Sequence, residues 1–383
     1  MVASASAVTT DLKEGTSQQR IYSAQVGALE AGTQYEYAVA CAGADAGACG
    51  DGAQWFNYTT DLPGRAVTFA VFGDMGVDND QSIGLLTQGA ASGLYDAVLH
   101  FGDVAYDLHE EDGKRGDDYQ ALLQPVAANL PYHICPGNHE ATDDFKQYRA
   151  RWGKSMPNAG PGGIYHSFDV GLVHVVMFSS EVWFYFSEYG LGQLMEQHRW
   201  LHADLAAVNR TKTPWVVTMA HRPTMCSAND DDDDCHHAAS LVRSGVGGVE
   251  GFEKLLKEYS VDVHLAGHEH SYERFWPAYD RKATQQNYVD PAATVHVITG
   301  AAGNREGQDP WDSGGVLDCS AVRLNMYGVG LLSVPNATHL SFSQVDAESG
   351  AAVDGFTIVR TAQRSESAGG ELRLPSERVG SAE

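Results

Sequence analysis

The 383 residues are more than one ordinary domain needs and fewer than three. Apolar side chains make up 43%, enough for a large core, and the longest apolar runs are strand-sized, too short to cross a bilayer as a helix. A net charge of −25 argues against nucleic acid gripped by a general basic surface, and it leaves a small anionic substrate dependent on a local positive charge such as a bound metal.

The first residues, MVASASAVTTDLKEG, carry neither the basic nor the apolar region of a signal peptide. Residues 1–64 read as β. IYSAQVGAL and TQYEYAVAC alternate apolar and polar positions, and QWFNYTT follows a Cys-bracketed loop. The stretch from Leu29 to Tyr35 is similar to the tyrosine corner of a fibronectin-III-like sandwich. A complete sandwich needs about seven strands in ~100 residues. Only about four fit here, so the expectation is a partial fibronectin-III-like domain, with unpaired strands or a missing preceding segment. Asp61-Leu-Pro-Gly64 reads as a linker.

Over residues 65–361 short apolar runs alternate with helical stretches, an α/β layout. AVTFAVFGD, AVLHFGD, PYHICPGNHE, LVHVVMFSS, PWVVTMAHRP, VDVHLAGHEH and TVHVITGAAG read as buried strands. SIGLLTQGAAS, YQALLQPVAANL, QLMEQHRWLHADLAAVN and GFEKLLKEYS read as helices. GVGLLSVP, THLSFSQVD and GFTIVRT suggest an antiparallel finish. GVGGVEG lacks the preceding strand of a dinucleotide fold and reads as a loop. The tail, residues 362–383, has a disordered composition.

Six cysteines are present. Cys41 and Cys49 flank one short turn-like loop, and Cys226 and Cys235 another. Both pairs suit disulfides in an oxidising compartment, with buried thiols as the rival. Cys135 and Cys319 stay open. Sequons at Asn57, Asn209 and Asn336 lend weak support to secretion.

Five strands end in metal-type motifs: Gly73-Asp74-Met75-Gly76, Gly102-Asp103-Val104-Ala105-Tyr106, Gly137-Asn138-His139-Glu140, Ala220-His221-Arg222-Pro223 and Gly267-His268-Glu269-His270. Ligands in α/β folds sit beyond the C-terminal ends of strands. Singly, an Asp there is more often a helix cap and a His merely solvated. Five in one order form a signal of a different kind. Carboxylate, amide oxygen, imidazole and phenolate together suit two hard or borderline ions. Asp103 and Tyr106 are one helical turn apart, and His268 and His270 face one way on an extended segment.

GDMG, GDVAY, GNHE, AHRP and GHEH together resemble the purple acid phosphatases, a branch of the calcineurin-like metallophosphoesterases. AGHEHSYERFWP and HRPTMCSANDDDDDCHH look like its long, animal-type members. The resemblance implies a four-layer sandwich of two mixed β-sheets flanked by helices. It implies that Asp74, Tyr106 and His270 hold Fe(III), that Asn138, His221 and His268 hold Fe(II), Zn(II) or Mn(II), and that Asp103 bridges the two. Generic metallophosphoesterases carry Asp-x-His in the first motif. Here Gly76 stands in place of that His, and Tyr106 brings an anion. The exchange leaves the site at roughly +1 whether it holds two divalent ions or a ferric–divalent pair.

The reaction implied is hydrolysis of phosphomonoesters at acid pH by a metal-generated hydroxide. Phosphodiesterase or nucleotide pyrophosphatase activity on the same site is the alternative, and a non-catalytic binding or adhesion protein a third. His139 is the candidate for contacting phosphate or protonating the leaving group, with a structural role as its rival. His236 and His237 resemble a substrate-facing pair of plant-type enzymes, but follow a Cys-bracketed Asp run. A zinc site of Cys226, Cys235, His236 and His237 is poorly spaced. Arg222 either meets phosphate or pairs with an acidic neighbour. The partners expected are small phosphorylated substrates, with a homo-oligomer left open, in a secreted or lysosomal/vacuolar setting.

Overall fold

The computed structural model describes residues 8–12, 19–39, 54–228, 235, 240–311 and 315–361. The Cys41–Cys49 loop, the Asp230–Asp234 run, His236, His237 and the tail lie outside these.

Two sheets face each other. In the first the order is Ala352–Val359, His339–Asp346, Gly328–Asn336, Val67–Phe72, Ala97–Phe101, Tyr132–Cys135. The last three run parallel, and the antiparallel finish pairs onto Val67–Phe72 through Gly328–Asn336. In the second the order is His166–Val170, Val173–Met177, Trp215–Met219, Val263–Ala266, Val295–Thr299, Tyr272–Phe275, Ser320–Leu324, with the second to fifth strands parallel.

The apolar runs are continuous because both faces of each sheet are covered. In Val67–Phe72 the period of two sends Val67, Phe69 and Val71 into the layer between the sheets, where Met177, Trp215, Val217 and Leu265 meet them. Ala70 and Phe72 point the other way, into a cluster shared with Leu86, Leu123 and Val126 of the helices Ile83–Ser92 and Lys114–Ala127. Val176 and Val216 do the same on the second sheet, beneath Leu191–Ala207 and Phe252–Glu258. The result is the four-layer sandwich expected.

The strands His166–Val170, Tyr272–Phe275 and Ser320–Leu324 were not among those expected. Tyr272–Phe275 follows directly on the fifth motif, and its apolar–polar sequence is short and mixed enough to read as loop.

The N-terminal strands form two antiparallel pairs, Val8–Leu12 with Gln19–Ser23 and Gln34–Val39 with Gln54–Thr59. The amide of Glu30 donates to Tyr35 Oη at 2.8 Å, the hydrogen bond of a tyrosine corner. Asp61 ties the linker to the sandwich by accepting from the Gly171 amide at 2.9 Å. Sequon residues Asn57, Asn209 and Asn336 are all exposed.

Candidate metal centre

Five parallel strands, three from the first sheet and two from the second, deliver the motifs to one end of the sandwich. Asp74 follows Val67–Phe72, Asp103 follows Ala97–Phe101, Asn138 follows Tyr132–Cys135, His221 follows Trp215–Met219, and His268 and His270 follow Val263–Ala266. Each turn leaves its strand abruptly. Asp74, Asp103, Tyr106 and His268 have left-handed φ of 65, 54, 52 and 70°. Such residues cost about 1–3 kcal/mol each and persist where the surroundings over-determine them. Gly137 is required by close approach, since a Cβ there would stand 2.2 Å from Asp103 Oδ1.

The donors fall into two groups. In one, Tyr106 Oη lies 2.7 Å from His270 Nε2 and 3.4 Å from Asp74 Oδ1. In the other, His221 Nε2 lies 3.0 Å from Asn138 Oδ1, 3.2 Å from Asp103 Oδ2 and 3.2 Å from His268 Nδ1. Metal–ligand bonds of ~2.1 Å at right angles put neighbouring donors ~3 Å apart, so this spacing suits atoms sharing an ion. His221 Nδ1 must donate to the Phe101 carbonyl at 3.1 Å, because that oxygen only accepts. In the neutral ring the Nε2 lone pair then faces the other donors, as metal-binding histidines require.

Two more contacts hold the loops. Both Asp74 oxygens accept from the His268 amide, at 3.1 and 3.0 Å. Glu140, buried, accepts at Oε2 from the amides of Asp103 and Gly137, each at 2.9 Å, and at Oε1 from Val104 at 3.1 Å. It welds the second motif to the third.

The electrostatics of the donors follow from burial and from one another. Burial, with Asp74 and Asp103 adding to it, pushes the Tyr106 phenol well above its ordinary range. Without a metal it stays protonated. Burial disfavours charge on His221 too, but Asp103 and Asp74 outweigh it and raise the ring to about 10. Burial drives His268 well below its usual value, with Arg222 and His221 reinforcing it.

The His139 ring lies 4.4 Å from the Tyr106 ring, tilted by 43°, with Nδ1 3.0 Å from Asp107 and Nε2 3.4 Å from Glu306. Burial opposes its charge, yet Asp103, Asp107 and Glu306 raise it to about 11. Arg222 pairs with buried Glu181 at 2.9 Å, covers the Phe184 ring and donates to His268 Nε2 at 3.0 Å. The acidic-neighbour alternative is therefore realised, and Arg222 also lines the cavity. A metal on His268 Nδ1 would move the ring proton to Nε2 and require the Arg222 contact to open.

The cavity is about 600 Å³, lined by Asp103, Asn138, His139, Tyr185, Arg222, His268, His270, Glu306 and Asp309. A separate hollow of about 30 Å³ beside Lys257 and Asp262 is too small for a substrate. Cys226 and Cys235 form a disulfide with Cα atoms 5.3 Å apart, which removes the four-residue zinc site. Cys135 and Cys319 are buried free thiols.

Asp107, Asn304, Glu306 and Asp309 escaped the sequence reading. Asn304 donates to Tyr106 Oη, and an Asp309 oxygen accepts the His270 amide. The signal was present: TVHVITG is another strand with a Gly-rich polar continuation, GAAGNREG, like the five motifs used.

Family models agree with this layout. A calcineurin-like phosphoesterase model matches residues 67–272, and one described as iron/zinc purple acid phosphatase-like protein C matches residues 293–355. Acid phosphatase type 7 of Danio rerio is 44% identical over 82% of this chain and 73% of its own length. The Homo sapiens protein of the same name is also 44% identical, over 76% and 67%. Among solved structures, the purple acid phosphatase PPD1 from yellow lupin (Lupinus luteus) seeds superposes with a TM-score of 0.76 at 21% identity, covering 94% of this chain and 67% of that one.

Proposed function

Since this chain belongs to the purple acid phosphatases of the calcineurin-like phosphoesterases, we propose that it is an acid phosphatase hydrolysing phosphomonoesters at a ferric–divalent centre. Asp74, Tyr106 and His270 would hold the ferric ion. Asn138, His221 and His268 would hold Fe(II), Zn(II) or Mn(II), and Asp103 would face both. When bound, such a pair supplies a strong Lewis acid and a hydroxide nucleophile that survives in acid.

The observation that carries this is the convergence of donors from separate loops into two groups at close to 3 Å, one of them including a buried phenol whose anion a cation would stabilise. The chain's own residues supply the rest. Asp107 orients His139 through Nδ1, and the Nε2 proton, now facing Glu306 at the cavity wall, would pass to a phosphate oxygen or a leaving group. Arg222, held on Glu181, offers a second cation to the phosphate. His236 and His237 remain candidates for the substrate side. The Cys226–Cys235 disulfide and the exposed sequons support a secreted or lysosomal/vacuolar location.

The test is turnover of p-nitrophenyl phosphate by the wild type and Asp103→Ala. The substitution should abolish activity, and unchanged turnover contradicts the site. Faster hydrolysis of bis(p-nitrophenyl) phosphate than of the monoester would move the function to the phosphodiesterase class.

A further inference from the structure

Asn304 is buried beyond the strand Val295–Thr299, on a loop packed beneath the first motif. Its Nδ2 donates to Tyr106 Oη at 2.7 Å. Its Oδ1 accepts from the Glu306 amide at 2.8 Å, and its main-chain oxygen accepts from Asn79 Nδ2 at 2.7 Å. The Glu306 contact fixes the orientation of the side chain. An amide N–H needs an acceptor, so the oxygen must face Glu306 and the nitrogen must face the tyrosine.

The first motif makes room for this pair. A Cβ on Gly76 would stand 3.3 Å from the Tyr106 ring and 3.4 Å from Asn304 Cα. The glycine in place of the usual histidine therefore does more than delete a ligand. It spares the Tyr106 ring a tight contact from that side, beside the loop that carries Asn304.

We propose that Asn304 is a positioning residue that sets the donor strength of Tyr106 toward the ferric ion, through the hydrogen bond from Nδ2 to the phenolate oxygen. This rests on Tyr106 being a ferric ligand. A hydrogen bond draws electron density from a phenolate and lowers the orbital from which charge transfer to iron begins. With the bond in place the visible band lies at shorter wavelength. Removing it should shift the band to longer wavelength and leave the phenolate the stronger donor.

The experiment is the visible spectrum and iron content of the purified holoprotein for wild type, Asn304→Leu, Asn304→Asp and Tyr106→Phe. Asn304→Leu keeps the volume and deletes the donor. Asn304→Asp keeps an acceptor for the Glu306 amide, so it serves where the leucine variant fails to fold. Both should move the band maximum to longer wavelength while iron content stays near that of wild type. A merely structural role would lower iron content and band intensity without moving the maximum, and that result overturns the proposal. Failure of the underlying assignment looks different. If wild type shows no band that Tyr106→Phe removes, the ferric–tyrosinate reading falls, and this inference with it.

Discussion

Glu140→Ala isolates the joint between the second and third motifs. The carboxylate accepts three main-chain N–H groups, from Asp103 and Gly137 at 2.9 Å and from Val104 at 3.1 Å. Glu140 is 3% exposed, so water does not replace it without the loops opening. An orphaned buried donor costs about 1–3 kcal/mol, and discounting for relaxation the three together should cost about 3–6 kcal/mol. Glu140→Gln keeps one oxygen and turns an NH₂ group toward the remaining donor or donors, so its cost should be smaller, about 1–3 kcal/mol. Urea unfolding of metal-depleted protein separates this from lost metal binding, and kcat of the reloaded protein reports on Asp103 and Asn138. A Glu140→Ala variant within ~0.5 kcal/mol of wild type, the range of an ordinary surface change, would refute the clamp.

The fold also carries a pH liability away from the site. His166 is fully buried, neither ring nitrogen has a hydrogen-bond partner among the described residues, and it stacks near His133. Burial lowers His133 to about 4 and His166 well below its ordinary value. Unfolded histidines titrate near 6.5, so below that pH the unfolded state takes up protons that the folded state refuses. Stability should fall by roughly 2–3 kcal/mol per such ring between pH 7 and pH 4.5. Urea midpoints at the two pH values check this, and His166→Phe should flatten the difference; an unchanged pH dependence would falsify it. Replacing Cys226 and Cys235 with alanine opens a loop of sequence separation 9 and should cost about 2–3 kcal/mol in thermal unfolding, whereas an unaltered midpoint would deny the bridge a stabilising part.

The layers were legible because strands buried on both faces are continuously apolar and end in a polar motif, a pattern that survives without tertiary information. The seven proposed ligands were legible for the same reason, each standing two to five residues past such a strand. What supports them was not. Glu140 sits inside a motif already noticed, yet its three N–H partners come together only through the left-handed turn at Asp103. Asn304 and Asp309 reach the ligands from the loop after Val295–Thr299, more than thirty positions beyond His270; the strand and its Gly-rich continuation mark that loop, but not which of its residues touch Tyr106 and His270. Arg222 shows the opposite limit. The sequence offered an acidic partner without saying which, and Glu181, which holds Arg222 in the cavity wall, comes from a different loop.

The central claim is a mixed pair of metals in one active chain. Elemental analysis of the purified protein, read against its activity on p-nitrophenyl phosphate, tests it most directly. Two metals per active chain, one iron and the other iron, zinc or manganese, with a tyrosinate band in the visible, is the expected result. Full activity in protein free of iron would contradict it.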